Sequence, residues 1–378
     1  MATEYRVLIL HASGGSGHVK AAEALAGSFR SRHPAVEVRN VNALDFATRT
    51  FRFIYEDGYN FISYHAVRIW GWLYHRYNAP ERHGLLVTLT RRAMDRRLRQ
   101  FLDDFRPDLV IGTHPLAIRL LGAHPWPTAA TAVPTAMVVT DFGCHSYWVD
   151  PSISRYYVAV DDVRACLQGY RVPPHRVVVS GIPIDPKFAR SFNRREIFAR
   201  YHLKPETPTL LVVGGLVQEP YLRALLAALW QRQEVQCLIV AGRDHRLSRQ
   251  ISASPLRRNP AVRTFGFVTN LEELLAMADV AVTKAGGLTV SECLAAGVPL
   301  AVPKVIPGQE DDNLNFLTRH GVAVHADTPR AMSQAIASWL EHPARLARVK
   351  QRCRQLGKPQ ASATVIADVV SCLHQRKS

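Results

Sequence analysis

A glycine-rich loop that ends in a histidine follows the first apolar run of the chain. The loop reads His11-Ala-Ser-Gly-Gly-Ser-Gly-His18 and opens a helical pattern. Glycines such as Gly15 and Gly17 let a ligand approach the backbone, and a helix N-terminus favours negative charge. The loop matches neither the Walker A nor the GxGxxG fingerprint. A helix start favours a neutral imidazole, so His18 is a candidate general base, the alternative being a polar first-turn histidine that faces solvent.

A lysine and two glycines stand between a predicted strand and a predicted helix in the second half. The strand runs into Lys284, Gly286 and Gly287 form the turn, and the helix is predicted to begin near Thr289. Open backbone amides at such a turn can bind a diphosphate, and Glu292, one turn into the helix, can accept hydrogen bonds from ribose hydroxyls. Thr289 and Glu292 also fit the capping box S/T-x-x-E, which would give them a purely structural role.

Two other loops of the second half also follow predicted strands. Gly214 and Gly215 form a glycine pair between a strand and a helix. Pro307-Gly-Gln-Glu310 places an amide and a carboxylate together, and both groups are good partners for sugar hydroxyls. The alternative is a polar connection in which Asp311 or Asp312 caps the next helix.

A strand end of the first half is crowded with polar and aromatic residues, in the order Thr140-Asp-Phe-Gly-Cys-His-Ser-Tyr-Trp148. His114 follows another strand end. Asp141, His145 and His114 can be imagined as metal ligands, but no tight ligand spacing supports such a set. We therefore predict no metal site.

The elements that must position these loops are short apolar strands that alternate with helical patterns in both halves. Strands are predicted at Arg6–His11, Val36–Val41, Asp108–Thr113, Pro134–Thr140, Arg155–Val160, Arg176–Ser180, Thr209–Val213, Val235–Ala241, Val262–Phe265, Val280–Lys284, Pro299–Pro303 and Val322–Val324. Helices are predicted at His18–Ser31, within Leu44–Tyr77, and at Leu86–Phe105, Pro220–Arg232, Leu271–Ala278, Thr289–Ala296, Asn313–His320 and Pro329–Glu341. The alternation predicts an α/β fold of two Rossmann-like domains facing each other across a cleft, with ligands at the carboxyl ends of parallel strands.

The hinge between the domains is predicted at Gly181-Ile-Pro-Ile-Asp-Pro186, because its prolines stop regular structure. It divides the chain into an N-terminal domain of residues 1–182 and a C-terminal domain of residues 183–378. The last predicted helix, about Pro359–His374, is a candidate to pack back on the first domain.

The composition indicates a basic globular protein with a formal net charge of +16. Nucleic acid, an anionic membrane or an anionic substrate would each suit such a surface. No run of about 20 apolar residues and no signal-peptide pattern is present. The six cysteines are scattered without a CxxC pair, which argues against a zinc site or a disulfide framework. We therefore expect a cytoplasmic protein.

Much of the positive charge lies between Asn60 and Gln100, where eight arginines stand against two acids. Tryptophans and tyrosines are interleaved with these arginines, as at a lipid headgroup interface. The candidate membrane contacts are Arg68, Trp70, Trp72, Arg91, Arg92, Arg96 and Arg97. The alternative is a basic solvated helix with an aromatic core face.

Taken together, the motifs resemble one family, and they come in its order over roughly residues 5–345. They are His11-Ala-Ser-Gly-Gly-Ser-Gly-His18, Thr140-Asp-Phe with His145 and Trp148, Gly181-Ile-Pro, Lys284-Ala-Gly-Gly-Leu-Thr with Glu292, and Pro307-Gly-Gln-Glu with Asn313. The family is glycosyltransferase family 28, and within it the chain is similar to bacterial diacylglycerol glucosyltransferases and plant-type monogalactosyldiacylglycerol synthases. The region Tyr55–Arg99 is the least alike.

The resemblance implies a GT-B fold and an inverting transfer from UDP-glucose or UDP-galactose to the 3-hydroxyl of diacylglycerol, at the cytoplasmic face of a membrane. It implies no metal ion or other cofactor, because helix-terminal amides stabilise the leaving diphosphate. The residue it implies as base is His18. The implied donor-binding residues are Gly215, Gly287 and Thr289 for the diphosphate, Glu292 for the ribose, Phe267 and Val268 for the uracil, and Gln309 and Glu310 for the sugar, with Lys284 and Asn313 beside them. The implied acceptor-side residues are Gly15, Gly17, His114, Asp141, His145 and Trp148. The second-domain loop Gly214–Glu219 departs from the family pattern.

Three alternatives stay open at this point. The N-acetylglucosaminyltransferase of peptidoglycan synthesis shares the fold and a glycine-rich first loop, but its donor region usually lacks Pro-Gly-Gln-Glu. A UDP-sugar 2-epimerase would act on the donor without any lipid. A nucleic-acid-binding protein would suit the net charge, but it does not explain why glycine loops and Glu292 stand at strand ends, so we expect no nucleic acid partner.

Overall fold

The structure of the protein is a computed structural model. It describes residues 4–13, 16–53, 55, 76, 78, 96–121, 133–214 and 217–377.

The chain divides into two compact units. Unit 1 consists of Met1–Pro186, Ile306–Asp312 and Lys358–Ser378, and unit 2 consists of Lys187–Val305 and Asn313–Gly357. Both ends of the chain therefore belong to unit 1.

Each unit is built on one six-stranded sheet, and the described strand pairs in both sheets are parallel. The strands of unit 1 are β1 (Tyr5–His11), β2 (Val36–Asn42), β3 (Leu109–Gly112), β4 (Thr135–Val138), β5 (Arg155–Val158) and β6 (Val177–Val179), in the order β2-β1-β3-β4-β5-β6. The strands of unit 2 are β7 (Thr209–Val213), β8 (Gln236–Val240), β9 (Val262–Phe265), β10 (Val280–Val282), β11 (Leu300–Val302) and β12 (Ala323–His325), in the order β12-β11-β10-β7-β8-β9.

Helices connect the strands. In the described ranges these helices are α1 (Ser16–Arg32), α2 (Arg96–Phe105), α3 (Pro115–Leu121), α4 (Asp161–Gly169), α5 (Arg194–Arg200), α6 (Glu219–Trp230), α7 (His245–Ala253), α8 (Leu271–Met277), α9 (Gly287–Ala296), α10 (Gln309–Arg319), α11 (Pro329–Leu340), α12 (Pro343–Leu356) and α13 (Ala361–Lys377). Short 3-10 turns lie at Ala43–Phe46, Ser146–Trp148, Pro174–Arg176, Pro186–Ala189 and Pro255–Arg258.

The sheet of unit 1 is buried on both faces, as β1 illustrates. Its side chains alternate between two hydrophobic cores, with Leu8 and Leu10 in one and Val7 and Ile9 in the other. All four are fully buried. A strand whose successive side chains all lie in apolar surroundings reads as a continuous hydrophobic run, and this is why the strands could be predicted.

The last helix belongs to unit 1, where α13 packs against α1. Arg155 on β5 donates to both carboxylate oxygens of Asp368, at 2.8 and 2.5 Å, and the Tyr157 hydroxyl donates to the same group at 2.8 Å. Burial tends to raise the pKa of Asp368, but the hydrogen bonds from Arg155 and Tyr157 outweigh it and hold that pKa below its usual value. A polar clamp thus complements the apolar contacts of Val365 and Val369.

The predicted fold class is confirmed, since both units are α/β with parallel sheets. Some helix predictions are wrong in detail. In the described part of the chain, five helices were not predicted: Pro115–Leu121, Asp161–Gly169, Arg194–Arg200, His245–Ala253 and Pro343–Leu356. The helix expected from Asn313 begins four residues earlier, at Gln309. No helix in the described part of the chain is long and apolar enough to span a membrane.

Two cysteines of unit 1 form a disulfide, which corrects the sequence-based argument against such bonds. The Cα atoms of Cys144 and Cys166 are 6.3 Å apart. Cys144 follows β4, and Cys166 lies in α4, which follows the neighbouring strand β5. Their separation of 22 residues gave no sign of this pairing, because proximity arises from the sheet order and not from local spacing.

Candidate functional site

Two predicted residues of unit 1, His18 and His114, follow the strands β1 and β3, where the strand order of its sheet reverses. After β1 the chain goes outward to β2 and then returns to β3 on the other side of β1. Such a switch point leaves a crevice at the carboxyl ends of the two central strands, which is the usual ligand site of open α/β sheets. The loop from His11 to His18 leaves β1 here, and Thr113 and His114 leave β3.

His18 lies in the first turn of α1, and its ring contacts residues that follow β3 and β4. Its Nδ1 atom is 2.8 Å from the Thr113 carbonyl oxygen and 2.8 Å from the Thr140 hydroxyl oxygen. The Thr113 hydroxyl in turn donates to the His18 carbonyl at 2.9 Å. A carbonyl oxygen can only accept, so the bond to Thr113 places the proton of a neutral ring on Nδ1. The lone pair is then on Nε2, as a general base requires.

His114 packs against His18, with ring centroids 4.4 Å apart in an edge-to-face arrangement. Its Nδ1 atom accepts the Leu116 backbone N–H at 3.1 Å, and its Nε2 atom lies 3.2 Å from the Tyr55 hydroxyl. Burial, and next the charges of His18 and His11, hold the pKa of His114 well below its usual value. The ring is therefore a neutral cap at the start of α3.

The loop after β4 supplies a carboxylate, an imidazole and an indole. Asp141 is buried and accepts a hydrogen bond from the Gln309 side chain at 2.6 Å. His145 is also buried, and its Nδ1 atom accepts from the Tyr147 backbone N–H at 3.0 Å. The Trp148 ring lies 6.2 Å from that of His18, centroid to centroid. Of the predicted residues of unit 1, His114 and Trp148 therefore lie against the His18 ring, and Asp141 and His145 are buried in the loop that leads to Trp148.

The segment Ile306–Asp312 also belongs to unit 1 and carries two predicted sugar-binding residues. Gln309 is half-buried. Glu310 is buried, and its carboxylate accepts the Ile306 backbone N–H at 3.0 Å. Gly143 allows the two loops to approach each other closely, because a Cβ atom at this position would clash with the Asp312 side chain.

Unit 2 has a switch point of its own, between β7 and β10. At the end of β7, the Gly214 backbone N–H donates to the Val240 carbonyl at 2.8 Å. A Cβ at Gly214 would meet that carbonyl at 3.0 Å, so the close approach of the backbones favours glycine. The predicted diphosphate contact Gly215 lies outside the described residues.

The loop after β10 leads directly into α9. This helix begins at Gly287, with Gly286 as its N-cap and no side-chain cap. The interpretation of Thr289 and Glu292 as a capping box is therefore wrong, since both lie inside the helix. The Lys284 side chain approaches the same helix start, with Nζ 3.8 Å from the position a Gly286 Cβ would take. An ammonium group and a helix N-terminus both favour a bound anion.

Asn313 supports this loop from behind. Its side chain is fully buried and donates to the Ala285 carbonyl at 2.9 Å. Ala285 stands between Lys284 and the N-cap of α9, so this bond fixes the turn that carries both.

The end of β9 presents an aromatic ring to solvent. Phe267 is 55% exposed, and the Arg243 guanidinium carbon lies 4.9 Å from its ring centroid. Arg243 follows β8, the strand next to β9, and Val268 is half-buried beside Phe267. A large exposed apolar ring at a strand end is the kind of surface on which a planar base can stack.

Several predicted contacts fall where the structure gives no description. Those outside the described residues are Gly15, Gly215, Arg68, Trp70, Trp72, Arg91 and Arg92. Arg96 is the first residue of α2, and Arg97 is exposed on that helix. Gly17 lies in the first turn of α1. Within the described ranges, no group of three or more histidine, cysteine, aspartate or glutamate side chains could hold a metal ion.

Two family models match the chain, one in each half. Residues 18–184 match the family described as monogalactosyldiacylglycerol (MGDG) synthase, and residues 193–356 match glycosyl transferases group 1. The predicted resemblance is confirmed. The chain is a glycosyltransferase with the GT-B fold.

Individual proteins resemble the transferase over nearly its whole length. A processive diacylglycerol beta-glucosyltransferase of Bacillus subtilis (strain 168) is 28% identical over 379 residues, covering 98% of this chain and 96% of that protein. MurG of Acinetobacter baumannii has a similar structure, with a TM-score of 0.58, 17% identity, and coverage of 97% of this chain and 99% of that one. The UDP-GlcNAc 2-epimerase from Neisseria meningitidis bound to UDP-GlcNAc gives a TM-score of 0.61 at 12% identity, covering 97% of this chain and 100% of that one. At these identities the structural likenesses show the fold alone.

Sequence reasoning missed three residues that the transferase places at these sites. Thr113 and Thr140 contact the His18 ring, and Arg243 contacts the exposed Phe267 ring. Thr113 and Thr140 are each the last residue of a predicted strand, and this position at a strand end is the signal that points to both of them.

Proposed function

We propose that the transferase moves a hexose from a UDP-sugar to a hydroxyl of diacylglycerol, with inversion at the anomeric carbon. His18 is the general base. It takes the proton from the acceptor hydroxyl on Nε2, the acceptor oxygen bonds to the anomeric carbon, and UDP leaves with the electron pair of the bond it breaks.

The observation that carries this proposal is the hydrogen bond from His18 Nδ1 to the Thr113 carbonyl. It supports a ring whose second nitrogen is the proton acceptor. A solvent-facing first-turn histidine would need no such bond, and its tautomer would be left undetermined.

The donor half of the proposal rests on the switch point of unit 2. The backbone amides at Gly286–Gly287 and the Lys284 ammonium bind the diphosphate, and Glu292 accepts hydrogen bonds from the ribose. Phe267 and Val268 bind the uracil. Asn313 positions the Lys284 loop through its bond to Ala285. No metal ion enters the proposal, because the cationic groups and helix amides face the developing charge of the leaving group.

The hexose and the lipid are proposed from relatives. The Bacillus subtilis relative named a diacylglycerol beta-glucosyltransferase favours glucose, whereas the family named for monogalactosyldiacylglycerol favours galactose. Of the two, we propose glucose, because that relative aligns with 98% of the chain whereas the family model matches only residues 18–184.

The test is incubation of the purified protein with radiolabelled UDP-glucose or UDP-galactose and diacylglycerol-containing liposomes, followed by separation of the lipids. A labelled glycolipid that forms with UDP-glucose and is absent without diacylglycerol supports the proposal. Label that stays in a water-soluble, altered UDP-sugar would indicate an epimerase instead. Label transferred only to a lipid-linked peptidoglycan precursor would indicate the N-acetylglucosaminyltransferase class, tested with UDP-N-acetylglucosamine.

We further propose that the arginine-rich segment from Asn60 to Gln100 docks the enzyme on an anionic membrane, from which diacylglycerol enters. Each cation near such a surface contributes on the order of 1 kcal/mol, screened by salt. Changing Arg91, Arg92, Arg96 and Arg97 to Gln should lower binding to phosphatidylglycerol liposomes and leave UDP affinity unchanged. Binding equal to that of the parent protein would contradict the docking role.

A further inference from the structure

The Nδ1 atom of His18 has two oxygen neighbours at the same distance, and they come from adjacent strands. The Thr113 carbonyl follows β3 and the Thr140 hydroxyl follows β4, each 2.8 Å away. Thr113 is fully buried and Thr140 is 4% exposed. Water therefore has little access to this side of the ring, and the protein itself must satisfy Nδ1.

We propose that Thr140 is a positioning residue that stabilises the protonated form of His18 during transfer. This inference rests on the proposed function, in which His18 Nε2 takes the acceptor proton. Once both ring nitrogens carry protons, Nδ1–H has two oxygens within hydrogen-bond distance, and the Thr140 hydroxyl oxygen can only accept from it.

The hydroxyl contributes more to the charged ring than to the neutral one. In the neutral ring, Nδ1–H already donates to the Thr113 carbonyl, and the second oxygen adds a weak shared interaction. In the imidazolium, the same oxygen accepts a charge-assisted bond, which is roughly twice as strong as a neutral one. A group that stabilises the protonated ring raises its basicity, and so it lowers the barrier to proton transfer from the acceptor.

Other titratable groups follow the strand ends of the same sheet and have to be held constant in any test. They are His11 at the end of β1, His114 after β3, and Asp141 and His145 after β4. Replacing Thr140 by Val removes the oxygen at nearly constant volume and changes none of these groups. Replacing it by Ser keeps the hydroxyl, so the pair Thr140→Val and Thr140→Ser isolates that one atom.

The first measurement is steady-state kinetics with UDP-glucose and diacylglycerol. We expect Thr140→Val to lower kcat about tenfold with KM for UDP-glucose nearly unchanged, and Thr140→Ser to recover most of the loss. Thr209→Val is the matched control, because Thr209 is also buried and hydrogen-bonded but lies at the start of β7 in unit 2. It should lower stability without lowering kcat. Equal kcat in Thr140→Val and the parent protein would overturn the proposal.

The second measurement reads the ring directly and does not depend on turnover. In protein labelled with [15N]histidine, the His18 signal is assigned by its loss in His18→Gln and is followed against pH. We expect the neutral ring to carry its proton on Nδ1, and the titration midpoint of Thr140→Val to fall by about 0.5 to 1 pH unit relative to the parent and Thr140→Ser.

The two measurements separate the two possible failures. If no glycolipid forms but the midpoint shifts as expected, the proposed acceptor is wrong and the role of Thr140 on His18 stands. If glycolipid forms but the neutral proton resides on Nε2, or the midpoint is the same in Thr140→Val and the parent, the role of Thr140 is wrong.

Discussion

At the switch point of unit 1 the side chains are imidazoles and threonine hydroxyls, whereas that of unit 2 has a lysine and a glutamate beside a glycine turn, with an exposed phenylalanine after the edge strand β9 of the same sheet. The frame is the same in both, a six-stranded parallel sheet whose strand order reverses next to its first strand. Unit 1 therefore suits movement of a proton, and unit 2 suits binding of an anion attached to a planar base. The comparison shows how one architecture supports two kinds of chemistry through the residues that follow its strands.

The largest expected effect comes from His18, the proposed base of unit 1. His18→Gln should reduce kcat by about 10²- to 10⁴-fold, the usual loss for a general base, while UDP affinity measured by calorimetry stays near that of the parent. A kcat within a few-fold of the parent would show that His18 is not the base. It would also contradict the assignment of proton transfer to unit 1 and of anion binding to unit 2.

The next effect concerns the cation of unit 2. Lys284→Met should weaken UDP binding by about 10- to 100-fold, because it removes a charge-assisted contact to the diphosphate. The remaining affinity should also depend less on salt concentration. As a control, uridine, which has no phosphate, should be affected far less. An equal loss for UDP and uridine would contradict a phosphate contact.

An effect of comparable size is expected for the carboxylate of Glu292 in α9. Glu292→Ala should weaken UDP binding by about 1–3 kcal/mol. The affinity for deoxyuridine diphosphate, which lacks the 2′-hydroxyl, should fall by less between the parent and the variant. Because Glu292 is not part of a capping box, the melting temperature should change little. A lower melting temperature at unchanged UDP affinity would restore the structural interpretation.

The smallest effect concerns stability and pH in unit 1. The pKa of His114 is lowered in the folded protein, mainly by burial, while the unfolded chain has a histidine pKa near 6.5. Below that value the unfolded chain binds more protons, so stability falls as pH falls, by at most about 1.4 kcal/mol per pH unit from this group. His114→Asn keeps a hydrogen-bond acceptor at the start of α3 but removes the titratable ring. The melting temperature of this variant should therefore fall less between pH 6.5 and pH 5.5 than that of the parent. If the melting temperature falls by the same amount in the variant and the parent, His114 is not the cause of this pH dependence.

The strands could be predicted from the sequence for a clear physical reason. Residues such as Leu210–Val212 are buried on both faces of a sheet, which produces uninterrupted apolar runs. The missed helices gave weaker signals. Four of them have nine residues or fewer, and α12 has only Val349 and Cys353 buried among mostly polar neighbours.

Residues of the candidate site could be predicted only where the sequence around them has a recognisable motif. The glycine loop before His18 and the Lys284–Gly287 turn both carry local patterns of glycine and charge. Thr140 stands in the Thr140-Asp-Phe motif, but that motif does not predict its contact with His18, because the contact spans 122 residues and depends on the sheet order. The same reason applies to the Cys144–Cys166 disulfide, which joins elements that follow neighbouring strands.

The return of the chain to unit 1 has a consequence for biosynthesis. Unit 1 needs Lys358–Ser378, which the ribosome makes after the whole of unit 2, and α13 supplies core residues such as Val365 and Val369. Unit 2 ends at Gly357, so its whole sequence is made before unit 1 is complete. During synthesis, unit 1 begins first but completes its core only after unit 2 has been made, and the apolar face that α13 later covers stays exposed until then.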